Sequence, residues 1–149
     1  MAQLSPSLFQ RIVEEMPEAV IVSDRAGAIV YWNRAAETMF GHSAGEAMGQ
    51  SLDLIIPERF RARHWAGYRT VMSTGVTRYG RELLAVPAIR KDGRRISLEF
   101  SIALVRDDDG DLAGAAAIIR DVTARWEREQ ASRAERAPAT TPAPRPSME

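Results

Sequence analysis

Ile96-Ser97-Leu98-Glu99-Phe100-Ser101-Ile102-Ala103-Leu104 puts an apolar residue at every second position. That period is the mark of a strand with one face in a core and the other turned away from it. Asp107-Asp108-Asp109-Gly110 then turns the chain into a second apolar run, Leu112 to Val122, which closes on Arg120-Asp121-Val122-Thr123. A charged segment, Ala124 to Glu129, follows at once. A sheet that feeds directly into a solvated helix is a layout suited to passing movement outward.

On the N-terminal side of this pair, Lys91-Asp92-Gly93 reads as a hairpin turn. It joins the first run to a strand over Gly80 to Ile89, whose Pro87 favours an edge or a bulge. Glu18 to Asp24 and Ala28 to Trp32, joined by Arg25-Ala26-Gly27, form another hairpin. Three helices lie between the two groups of strands. Asn33 caps one that Gly41 stops, and Ser43 with Glu46 is spaced as the capping box of the next. Pro57 suits the first position of the longest, which runs to about Ser73 with Gly75 beyond. On that helix Phe60, His64, Gly67, Tyr68 and Val71 share a face, so His64 is expected to point inward. Five strands with helices grouped in the middle predict an α+β domain, one antiparallel sheet with helices on one face. An apolar cleft between the layers is the natural ligand site.

The expected organisation is an amphipathic helix over 1–17, the body over 18–123, an outgoing helix over 124–136 and a Pro-rich, disordered tail over 137–149. Ser5-Pro6 opens the first helix, and Leu8, Phe9, Ile12, Val13 and Met16 recur along it at helical spacing. The 149 residues are 45% hydrophobic and 27% charged, with 20 basic and 20 acidic side chains and no cysteine. Zero net charge gives no bulk pull toward nucleic acid or anionic membrane, so neither is expected as a partner. Absent cysteine removes disulfides, thiol nucleophiles and thiolate metal sites. The start, Met1-Ala2-Gln3-Leu4-Ser5-Pro6, lacks the form of a secretion signal, and a cytoplasmic location is expected.

With these pieces placed, the chain resembles a PAS domain of the bacterial S-box type over Phe9 to about Glu129. Pro17-Glu18-Ala19-Val20, Asn33-Arg34-Ala35-Ala36-Glu37 with Phe40-Gly41, Glu46 with Gly49, Ile56-Pro57-Glu58, Arg90-Lys91-Asp92-Gly93 and Arg120-Asp121-Val122-Thr123 carry the likeness through their joint order and spacing. The resemblance implies a PAS fold and a sensory or dimerising module that holds a small ligand or none. It also implies that signals leave through the flanking helices. Asp121 and Thr123 match the family's junction between the last strand and the outgoing helix, and Trp126 lies just beyond. The partners implied are a second copy of the chain and a signalling or regulatory protein. No catalytic constellation is evident, so an enzyme is not expected.

Some oxygen-sensing PAS domains bind haem through a histidine on the long central helix. His64 resembles that residue, which makes it the candidate axial ligand of a haem iron. The same sensors hold oxygen with an arginine on the next strand. Gly80-Arg81-Glu82 looks similar, but alignment of the flanking loops puts Leu84 at that position. The expected cleft lining is therefore His64, Phe60, Tyr68, Leu84, Trp32, Ile55 and Phe100, with the ligand's identity open. A cofactor-free dimerisation module in transcriptional regulation is the competing reading. Arg59, Arg61, Arg63 and Arg69 read as a solvated helix face. Trp32 reads as core or rim packing, Trp65 as an exposed aromatic among the arginines, and His42 as an exposed loop residue. The aspartates at 107–111 lack calcium-loop spacing and read as a turn.

Overall fold

The computed structural model describes residues 3–77 and 84–136. The residues at 80–83, expected to begin a strand and including Arg81, lie outside the described residues, as does the expected tail at 137–149. In chain order the elements are α1 (Pro6–Glu15), β1 (Ala19–Asp24), β2 (Ile29–Trp32), α2 (Arg34–Phe40), α3 (Ala44–Ala47), a 3-10 turn (Leu52–Leu54), α4 (Glu58–Thr74), β3 (Leu84–Ile89), β4 (Arg95–Arg106), β5 (Leu112–Asp121) and α5 (Thr123–Arg136). The strands form one antiparallel sheet in the order β2-β1-β5-β4-β3. The hairpin β4–β5 is thus central, and the N-terminal hairpin pairs with its far side.

Register explains which residues are inside. Ile21 pairs with Trp32 and with Ala117, and Ile119 pairs with Ala19 and Phe100, so these side chains share the inner face. Directly paired residues point the same way and their neighbours point oppositely. Trp32, Phe40 and Ile29 are almost wholly enclosed, with Ile96 and Leu98 beside them. Further along the inner face, Ile102 and Leu104 pack with Tyr68, Val71, Met72, Leu112 and Ala115 in a second, looser cluster. Gly114 lets β5 close on β1, because a Cβ there would meet the Ser23 carbonyl oxygen at 1.9 Å.

The local signals for the helices operate as expected. Asn33 caps α2, Gly41 ends it at φ +81°, and Ser43 with Glu46 forms the capping box of α3. Pro57 differs slightly. With ψ at 141° it is the N-cap of α4, and the helix begins at Glu58. Phe60, His64, Tyr68 and Val71 lie on the inward side of α4 as expected, with Met72 beside them. Two expectations about exposure on this helix are corrected: Gly67 is exposed, and Trp65, expected as an exposed aromatic among the arginines, is half-buried. Its ring lies over Gly27 in the β1–β2 turn, where a Cβ would meet it at 2.1 Å, and its indole N–H donates to Asp53 Oδ1 at 2.7 Å. His42 is also enclosed, its side chain only 12% exposed, because Trp32 packs edge-on against it and donates to its carbonyl.

Candidate functional site

Two regions gather functional groups, one around His64 and one where β5 becomes α5. His64 lies on the inner side of α4, with ring centroids 4.7 Å from Trp65 and 5.8 Å from Tyr68. The ring is half-buried, and among the described residues its enclosed Nδ1 has no hydrogen-bond partner. Desolvation pushes the imidazole pKa below its ordinary value, with Asp53 opposing weakly. A neutral imidazole is the form able to ligate a metal, and an unsatisfied buried nitrogen is costly enough to suggest a partner. Tyr68 donates to the Asp24 carbonyl at 2.5 Å and lies 2.8 Å from Ser23 Oγ, which ties α4 to β1. Burial raises its pKa, so it remains a donor.

The other expected lining residues are divided. Phe60 is half-buried beneath the Arg59 guanidinium, 4.6 Å from its ring centroid. Phe100 packs against the main core, and Leu84 at the start of β3 is paired with it in register. Ile55 and Trp32 belong to the closed core, where Trp32 meets Phe40 at 5.4 Å between ring centroids. The structure therefore brings Tyr68 to His64 and leaves Trp32 committed to packing. Two surface grooves, of about 490 and 590 Å³, open elsewhere. One is lined by residues of α2 and the α1–β1 connection with Arg90 and Asp121, the other by Pro57, Arg59, Ile89 and Arg95 among others. Neither is lined by His64. The neutral imidazole of His64 has the chemistry of a metal-donor nitrogen.

At the junction, Asp121 Oδ1 accepts from the Thr123 backbone N–H at 2.9 Å and from its hydroxyl at 2.5 Å. The same hydroxyl oxygen accepts from the Ser97 N–H at 3.0 Å, and the Ser97 carbonyl accepts from Val122 N–H at 2.9 Å. One threonine side chain thus joins the end of β5, the start of β4 and the first turn of α5. Arg125 on α5 pairs with Glu99 on β4, reinforcing this seat. The Trp126 backbone N–H donates to the Val122 carbonyl, and the residue is 48% exposed.

This topology and these motifs can be set against known proteins. The family model described as "PAS fold" matches residues 7–122. The chain belongs to the PAS family. Over 115 residues this PAS domain is 33% identical to the sensor protein FixL of Bradyrhizobium diazoefficiens, covering 75% of the chain and 22% of FixL. It is 30% identical over 121 residues to the signal transduction histidine-protein kinase AtoS of Escherichia coli, covering 80% of the chain and 18% of the kinase. The chain spans less than a quarter of either relative's length. Among solved structures, a PAS domain from Colwellia psychrerythraea superimposes with a TM-score of 0.69 at 22% identity, covering 80% of this chain and 98% of that one. The PAS domain here is a sensory domain of the kind found in signalling proteins.

Sequence reasoning missed the hub at Asn33. Its side chain, fully enclosed, accepts from the Val20 N–H (2.9 Å) and Ala36 N–H (3.0 Å) and donates to the Val13 carbonyl (2.9 Å) and Glu18 carbonyl (3.0 Å). The only sequence signal was its position as an N-cap. Trp65 was missed for a similar reason, since its partners Gly27 and Asp53 lie outside α4.

Proposed function

We propose that this PAS domain is a sensory module that takes a small ligand against the His64–Tyr68 side of α4 and passes the change to a partner protein through α5. The observation that carries the reading is the Thr123 hydroxyl, shared between Asp121 and the Ser97 amide. A shift of β4 relative to β5 cannot occur without disturbing the first turn of α5. Amide hydrogen exchange of Thr123→Val tests this. Faster exchange at the start of α5, with the sheet still protected, is expected; an unchanged α5 would refute the joint.

The partners include a second copy of the chain. Leu8, Phe9 and Ile12 on α1 and Trp126 on α5 leave apolar surface exposed at both flanking helices, and such surface favours association. Sedimentation should show a dimer that weakens when Leu8 and Phe9 become serine. A monomer at high concentration would count against it.

The neutral imidazole of His64 on the inner side of α4 supports haem as a second reading of the ligand. When bound, haem would supply a redox- or gas-responsive iron, which His64 would hold through an imidazole nitrogen, with Tyr68 beside it. Protein supplied with haem should then give a Soret band that His64→Ala abolishes; no band in the parent protein would remove this reading.

A further inference from the structure

Amphipathic helices ordinarily bury their apolar side. In α1 no residue is buried, and Leu8, Phe9 and Ile12 are 39%, 54% and 46% exposed. α1 contacts α2, Val13 is half-buried, and two hydrogen bonds tie the C-terminal end of the helix to the body. The Tyr31 hydroxyl donates to Glu14 Oε2 at 2.6 Å, and Asn33 Nδ2 donates to the Val13 carbonyl at 2.9 Å. The two acceptors are consecutive residues near the C-terminal end of α1. The donors lie two residues apart, on β2 and just after it. Residues 6–12 are exposed, and Val13 and Glu14 are half-buried.

The attachment is also separable from the rest of the fold. Tyr31 pairs with Val22, so its ring lies on the sheet face opposite Ile21 and Trp32, away from the main core. If α1 leaves, Asn33 keeps its bonds to the Glu18 carbonyl and to the amides of Val20 and Ala36. The α2 cap and the start of β1 would stay in place. Burial and the Glu14 carboxylate together hold the Tyr31 phenol up at about 12, so it remains a donor throughout the physiological range.

We propose that α1 is a detachable arm, seated by the two-point latch of Tyr31 and Asn33, which leaves its seat as a unit while the sheet remains folded. This rests on the reading of α1 as one of the two signal-carrying helices. A hydrogen bond to a charged acceptor is the stronger half of the latch, and its loss shifts a docking equilibrium by about tenfold.

Hydrogen exchange of the full chain, without added ligand, tests the arm directly. In Tyr31→Phe, exchange over residues 6–15 should rise about tenfold while β1, β4 and β5 retain parental protection. Glu14→Gln keeps an acceptor oxygen and should show a smaller rise. Unchanged α1 exchange in Tyr31→Phe, or equal loss of protection in α1 and the sheet, overturns the proposal. Should Tyr31→Phe fold poorly, Glu14→Ala breaks the same bond from the arm's side: a rise confined to α1 supports the latch, and no rise, or an equal rise in the sheet, overturns it. The Thr123→Val result reports on α5 alone, so failure of the sensory reading and failure of the latch can be told apart.

Discussion

Replacing Asn33 with alanine should be among the most damaging single changes in this protein. The side chain is fully enclosed and makes four hydrogen bonds, two as acceptor and two as donor. Alanine leaves the amides of Val20 and Ala36 without that acceptor, and no water reaches the space easily. A buried donor left unsatisfied costs about 1–3 kcal/mol, and the two together outweigh the small relief of burying a methyl group. The Val13 and Glu18 carbonyls each lose a donor as well, which adds less because both lie nearer the surface. A total of about 3–5 kcal/mol follows, a large share of the roughly 5–15 kcal/mol typical of a domain. Urea denaturation followed by circular dichroism measures it. Ser43→Ala is the internal control: it removes an N-cap of similar chemistry at an exposed site, where about 1 kcal/mol is expected. If Asn33→Ala cost no more than Ser43→Ala, the claim that burial multiplies the value of these bonds would be wrong for this site.

Gly114→Ala should prevent normal pairing of β5 with β1, because the new Cβ would lie 1.9 Å from the Ser23 backbone oxygen, which cannot rotate away; near-parental thermal stability would contradict this. The histidine at 64 should make stability depend on pH. Its folded pKa lies below the unfolded value near 6.5, so the unfolded chain takes up the proton first. Its stabilising effect is complete above that value and declines as pH falls through it toward the folded pKa. His64→Gln should flatten the part of the stability profile just below pH 6.5, and an unaltered profile would show that His64 titrates alike in both states.

The elements were legible in the sequence because their signals are local. Alternation from Ile96 to Leu104 needs only the pleat, and the capping box at Ser43 and Glu46 needs only one helical turn. Glycines at 41 and 75 end their helices through a backbone conformation available to them alone without strain. The α4 face was harder. Helical spacing defines candidate stripes, but which stripe turns inward depends on what waits there. Gly27 makes room for Trp65 and Asp53 binds its indole, which adds Trp65 to the inward side that Phe60, His64, Tyr68 and Val71 define and leaves Gly67 outside it.

The candidate site divides the same way. Asp121 and Thr123 could be read from sequence because a cap acts on amides one or two residues away. The Ser97 amide that makes their joint a three-way one is 26 positions from Thr123. Sequence alone determined the family, the strands, the turns and the caps, since each arises from interactions within a few residues or from their ordered spacing. Only the tertiary structure decided that Asn33 is a buried hub, that His64 Nδ1 has no hydrogen-bond partner among the described residues and that two hydrogen bonds tie α1 to Tyr31 and Asn33. Those properties depend on which distant groups converge and on how much water is excluded when they do, and neither quantity is carried by local pattern.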